Sequence, residues 1–282
     1  MELLHYTFFQ HALLGSLFAS IACGIIGTYI VTRRLVFISG GLTHASFGGI
    51  GLGLYTGISP ILSAALFSVL SAFGVEWLSK RNDMREDSAI AMFWTLGMAL
   101  GIIFSFLAPG FTPDLSAYLF GNILTITVTD IVLLALLSGA LILFFMLFLH
   151  PIISIAFDRE FSRSQGLPVS LFEYILMMFI ALTIVLSLRM IGIVLVISLL
   201  TIPQMTANLF STKFTHIILL SIGIGYLSCI GGLIFSYFLN VPSGASIIFF
   251  SILIYALCKA GKTMQGHMKI KGSNIRSMKE KL

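Results

Sequence analysis

The sequence predicts an all-α protein, a polytopic transmembrane helical bundle of about eight to nine spans with one short helix on the cytoplasmic face. Three observations predict this class. The 282 residues are 58% hydrophobic and only 10% charged, whereas a soluble domain carries about 25% charge; mean hydropathy is +1.05. The apolar residues form long unbroken runs, so the spans are helices and not the strands of a barrel. The charges gather in the breaks between runs and in the last residues, so the net charge of +5 does not indicate a nucleic-acid partner.

The candidate spans, in order, are Phe8–Val31, Leu42–Thr56, Pro60–Leu78, Ser88–Ala108, Asp130–Leu149, Leu171–Leu188, Ile191–Leu209, Phe214–Phe238 and Ala245–Ala260. A helix needs about 20 residues to cross a bilayer, so the second run, short and rich in glycine, reads as a kinked or partial span. The sixth and seventh meet at Arg189–Gly192 with almost no loop. Nine crossings is the count, or eight if one segment is broken or re-entrant. The first run carries no basic leader or cleavage motif and reads as the first span.

Alternating nine spans puts Arg33, Arg34, Lys80, Arg81, Arg85, Arg159, Arg163, Lys213 and the tail from Lys259 to Lys281 on one side, and leaves only Arg189 on the other. The positive-inside rule makes that first side cytoplasmic and puts the N-terminus outside. Residues 1–260 form the membrane domain, and 261–282 form a basic cytoplasmic tail that is disordered or lies on anionic lipid. On the outer side, Asp114–Gly121 reads as a short interfacial helix capped by Asp114. Cys23, Cys229 and Cys258 lie inside apolar runs without CxxC spacing and read as small core hydrophobes.

Phe157–Ser170, FDREFSRSQGLPVS, is a charged island between two apolar runs. Central Asp and Arg each cost about 2.5–3.5 kcal/mol in a membrane helix, so the island sits at a membrane face. Arg159, Glu160, Arg163 and Ser164 fall near helical spacing, and Gly166-Leu167-Pro168 is a helix stop. It is either a docking helix or an ordinary loop.

No HExxH, GxSxG, intramembrane Asp pair or GxxxxGK[ST] occurs, so the chain does not hydrolyse ATP by itself. Gly49, Gly53 and Gly57 recur every four residues and read as helix packing, as do Gly97 and Gly101. His44 stands apart: it lies in SGGLTHASFGG beside Thr43 and Ser46, where imidazole is costly unless it lines water or binds something. Its nitrogens suit zinc and neighbouring transition metals, although one histidine is far from the four ligands of a closed site. A satisfied core histidine is the competing reading. His5, His11, His150 and His216 fall at span ends. Pro203, in LLTIPQMTAN, is either a kink on a transport path, with Thr201, Gln204 and Thr206 serving the freed carbonyls, or a plain helix end. Glu76 and Lys80 form an i, i+4 pair at the cytoplasmic boundary.

These residues together resemble a family. RRLVFISGGLTHASFGGIGLG (Arg33–Gly53), REDSAIAMFWTLGMALG (Arg85–Gly101), YLFGNIL (Tyr118–Leu124), AFDREFSRSQGLPV (Ala156–Val169), IGIVLVISLLTIPQMTA (Ile191–Ala207) and VPSGASII (Val241–Ile248) are similar to motifs of the permease subunits of ATP-binding-cassette importers for zinc, manganese and related metals. The resemblance implies a permease domain over residues 1–260, paired with a second copy of itself in the inner membrane. It implies two cytoplasmic ATP-binding subunits docked on a coupling helix at Asp158–Gly166, with Asp158, Arg159, Glu160, Phe161, Arg163 and Gly166 at the contact. An extracytoplasmic metal-binding protein would deliver the ion, and His44, Thr43, Ser46 and Pro203 would line its path. No cofactor is tightly bound; a divalent metal is the cargo, with zinc first, then manganese or iron. Such families carry an Asp four residues before this His, and here Gly40 stands in its place. A permease for a metal chelate or siderophore is the alternative reading, and a non-transporting scaffold the last.

Overall fold

The structure is a computed structural model that describes residues 6–81, 84–109, 123 and 126–279. Among the described residues ten helices are present: α1 Thr7–Thr32, α2 Val36–Thr56, α3 Pro60–Arg81, α4 Glu86–Leu107, α5 Val128–Phe157, α6 Arg159–Ser164, α7 Val169–Leu199, α8 Ile202–Ala207, α9 Phe214–Leu239 and α10 Ser243–Lys279. Seven of them (α1, α3, α4, α5, α7, α9 and α10) contain stretches long and apolar enough to cross a membrane. The stretch Ile191–Ala207 is apolar but shorter. The count of eight to nine therefore turns on that stretch and on α2.

α2 is a full helix of 21 residues, not a partial one. Its Gly, Ser, Thr and His residues dilute its hydropathy, yet it is enclosed by its neighbours over nearly all its length from Ile38 to Gly53. The glycines allow this. A Cβ on Gly97 of α4 would sit 2.5 Å from the Ala45 Cα, and one on Gly101 would sit 2.6 Å from the Phe47 carbonyl oxygen. On the opposite flank, a Cβ on Gly49 would lie 2.5 Å from Ala64 Cα and one on Gly53 2.8 Å from Pro60 Cα, both on α3. α2 is thus wedged between α3 and α4 with backbones nearly touching, the geometry that small residues permit within a membrane. Gly57 departs from the expected packing role: it ends α2 at φ +75° with open space where a side chain would be.

Two long helices are broken internally. α5 opens with a capping box, Thr127 and Asp130 bonding each other's backbone N–H, and bends at Phe148 (φ −117°, ψ 26°), one turn before Pro151. That is where a helical proline removes a hydrogen bond and crowds the preceding turn. α7 breaks at Gly192 (φ 75°, ψ 167°), a backbone region essentially reserved for glycine. This is the point at which the sixth and seventh apolar runs were expected to meet.

The tail, expected to be disordered or to lie on lipid, continues α10 as helix as far as Lys279; it lacks proline and is rich in Lys and Met, which favour helix. The expected interfacial helix Asp114–Gly121 lies outside the described residues.

The wedge gives a stability test. Gly97→Val should lower the thermal midpoint of the detergent-purified protein sharply or prevent its accumulation, whereas Gly139→Ala, with nothing within 4 Å of the added carbon, should leave it unchanged. Equal midpoints for both variants would mean that the α2–α4 contact is not tight.

Candidate functional site

The charged island folds as α6. Asp158 caps it, its side chain accepting from the Phe161 N–H at 2.9 Å. Gly166 follows at φ +78°, and the Leu167 N–H donates back to the Ser162 carbonyl at 3.2 Å. Ser162 is fully buried and meets Ser154 of α5 at 2.7 Å between hydroxyls. The opposite face looks outward. Phe157 is 69% and Phe161 56% exposed, and Glu160 and Arg163 pair with each other at 3.2 Å.

Arg159 turns inward, into a network of buried charge. Its Nε lies 2.6 Å from Glu173 Oε1 on α7, its Nη2 3.7 Å from Glu76 Oε1 on α3, and its Nη1 3.5 Å from Glu86 Oε1 on α4. Lys80 Nζ bridges Glu76 Oε1 and Glu173 Oε2, at 2.8 Å from each. Arg33, at the end of α1, reaches Glu173 Oε1 at 3.4 Å and donates to the Ile155 carbonyl at 3.2 Å. Glu76 and Glu173 are each 2% exposed. An isolated carboxylate so placed would be strongly disfavoured; three cations against three carboxylates make it tenable. Burial opposes the charge on Arg159, but the Glu173, Glu76 and Glu86 carboxylates outweigh it and hold the guanidinium above its usual range.

The sequence reading treated Glu76–Lys80 as an ordinary boundary pair and passed over Glu173 altogether. A signal was available. Glu173 is the sole charge in the run Val169–Leu188, and a carboxylate in such a run needs a partner. What the sequence alone does not give is that the partner comes from α6.

His44 lies eight residues into α2, about 12 Å along the helix from Val36. Its ring stacks on Trp94 of α4 at 4.5 Å between centroids with planes 4° apart, and Phe37 lies 5.6 Å from the same Trp94 ring. His44 Nδ1 is buried without a hydrogen-bond partner. Gly40 shares this face: a Cβ there would meet only Trp94 and Ile197, at 3.8 and 3.9 Å. Among the described residues no group of three or more His, Cys, Asp or Glu could hold a metal ion.

Thr43, Ser46 and Pro203 lie in two helices, α2 and α8. The hydroxyls of Thr43 and Ser46 are buried and turned back onto α2, donating to the carbonyls of Ser39 and Thr43. In a helix this is how a buried hydroxyl satisfies itself. Pro203 stands in the first turn of α8, where no helical bond is lost; it begins a helix and does not kink one. The carbonyls left by the end of α7 are served by Thr201, which donates to Ile197 at 2.8 Å, and by Gln204, whose Nε2 donates to Leu199 at 3.1 Å and to Cys23 of α1 at 2.8 Å.

A bundle of apolar spans with a short charged helix pinned to one face is the architecture of a polytopic membrane protein. The chain belongs to the ABC 3 transport family, whose match covers residues 5–261. It is similar to an uncharacterized membrane protein of Synechocystis, at 37% identity over 260 residues and 92% of each chain. It is also similar to the manganese transport system membrane protein MntC of Halalkalibacterium halodurans, 32% identical over 94% of this chain and 91% of that one. Among solved structures, PsaBC from Streptococcus pneumoniae in complex with Fab superposes with a TM-score of 0.81 at 27% identity, covering 91% of this chain and 93% of that one. A putative metal-chelate type ABC transporter, inward-facing, shares the fold at TM-score 0.69, 14% identity and coverage of 92% and 88%.

Removing the bridging cation tests the network. Lys80→Ala leaves Glu76 and Glu173 short of one cation and should destabilise the detergent-purified protein by about 3 kcal/mol, the lower end for a broken buried pair, read as a lower denaturation midpoint. An unchanged midpoint would mean that the two carboxylates do not depend on Lys80.

Proposed function

We propose that the chain is the membrane permease of an ATP-binding-cassette importer in the inner membrane, moving a divalent transition metal into the cell. The observation that carries the proposal is similarity along nearly the whole length to proteins named for manganese transport, 32% identical over 94% of the chain in the Halalkalibacterium case and 31% over 94% in Listeria monocytogenes. The sequence reading put zinc first; these relatives favour manganese, with zinc as the rival cargo.

In this proposal two copies pair around the path. Two ATP-binding subunits dock on the outward face of α6, where Phe157, Glu160, Phe161 and Arg163 are exposed, and the C-terminus is cytoplasmic. An extracytoplasmic binding protein supplies the ion. ATP binding draws the two α6 helices together and resets the path between outward and inward access. His44 touches the ion in transit through an imidazole nitrogen. A transit site must release what it binds, so few ligands are an advantage, and Gly40 and the self-satisfied hydroxyls of Thr43 and Ser46 leave the imidazole with little company.

That sparseness also favours a second reading. A metal chelate brings its own ligands and needs no protein carboxylate, so Gly40 would suit a chelate permease equally well.

Metal content separates the two. A metal-starved host expressing the chain with its ATP-binding and metal-binding partners should accumulate manganese by mass spectrometry, and His44→Ala at equal protein level should cut the gain at least fivefold. A gain that survives the substitution reduces His44 to packing on Trp94. No gain of any free metal by an assembled complex favours the chelate.

A further inference from the structure

The backbone gives α6 little purchase on the bundle. It is only six residues long. Asp158 enters it in an extended conformation (φ −147°, ψ 102°), and the turn through Gly166 (φ +78°) leaves it. Neither junction continues a helix, so neither transmits force as a rod does. The hydroxyl contact of Ser162 with Ser154 ties α6 only to the adjoining end of α5.

Arg159 makes the connection that the backbone does not. Its guanidinium contacts carboxylates on three other helices: Glu173 on α7 at 2.6 Å, Glu86 on α4 at 3.5 Å and Glu76 on α3 at 3.7 Å. Glu173 is joined in turn to Lys80 at 2.8 Å and Arg33 at 3.4 Å. Charge-assisted bonds of this kind are strong, and withdrawing Arg159 would take the shortest of three cation contacts from a carboxylate that is 2% exposed, leaving it Lys80 and Arg33. Beyond the network, α3 and α4 grip α2 through the glycine wedge, and Ile197 of α7 faces Gly40, one turn from His44.

We propose that Arg159 and Glu173 form a latch that makes α6 move as one body with α3 and α7, so that displacement of α6 reaches the helix carrying His44 through buried charge. Arg159 and Glu173 are positioning residues: neither touches the transported ion. The proposal rests on the transport reading above. It adds that coupling is lost when the latch is broken from either side, including from Glu173, which is too deeply buried to touch a partner chain.

The test uses the complete complex, reconstituted in liposomes with its ATP-binding subunit and binding protein, and reads manganese transported per ATP hydrolysed. Arg159→Gln should lower that ratio at least fivefold while the ATP-binding subunit still co-purifies. Arg159→Lys, which keeps the charge, should recover at least half of it. Glu173→Gln should reproduce the Arg159→Gln defect; if it fails to accumulate, Glu76→Gln takes its place and should give a smaller loss, because Glu76 lies farther from Arg159. A wild-type ratio in Arg159→Gln overturns the latch. So does loss of the ATP-binding subunit from that variant, which would make Arg159 a docking contact, or an Arg159→Lys ratio as low as that of Gln. Failure of the wild-type complex to transport manganese would instead refute the cargo assignment, and the same variants would then be read with zinc.

Discussion

Three cations and three carboxylates from α1, α3, α4, α6 and α7 converge at one end of a bundle that otherwise buries apolar side chains. The arrangement follows from a constraint that leaves the chain few alternatives. Glu76 and Glu173 sit in helices that cross hydrocarbon, and a charge there must be paired or neutralised. Lys80 supplies one partner from the next turn of α3; Arg33 and Arg159 come from 43 positions before Glu76 and 83 after it. Once the pairs close, five helices are fixed relative to one another at that face, and the short α6 becomes part of the bundle, not an appendage of a loop. Ion pairs of this kind add little net stability compared with apolar packing. They are specific about which helices meet.

α2 is the other constrained element of the bundle. It is less apolar than its neighbours because its positions are taken by glycine, serine and threonine, and those small residues bring it within backbone contact of α3 and α4. A helix enclosed in this way cannot shift without its neighbours. His44 is held by stacking on Trp94 of α4. The ion network and the glycine wedge share α3 and α4, and this shared pair of helices joins α6 to the helix that carries the histidine.

Much of this was legible in the sequence. The apolar runs, the break near Arg189–Gly192, the charged island and the isolated imidazole all follow from local composition and spacing, because hydrocarbon penalises charge wherever it occurs. For Pro203 the sequence leaves a kink and a helix boundary both open, because proline fits both until the start of the next helix is known, and here that start is one residue away. That Thr43 and Ser46 bond back to α2 is not legible either, because a hydroxyl in a helix has the choice of the preceding turn or an outside partner. Gly57 has the right spacing for packing but lies where α2 ends. The network was invisible because its partners are far apart in the chain and only the tertiary fold brings Arg159 to Glu173. The lone glutamate in an apolar run was the one available hint.

The most direct measurement is a pair of structures of the assembled transporter, without nucleotide and with ATP bound, in which the Arg159–Glu173 contact is read at side-chain resolution. The account predicts that α6 shifts toward its counterpart in the second copy, that α3 and α7 shift with it, and that the guanidinium stays within hydrogen-bonding distance of the carboxylate in both states. An α6 that shifts while Arg159 leaves Glu173 would contradict it.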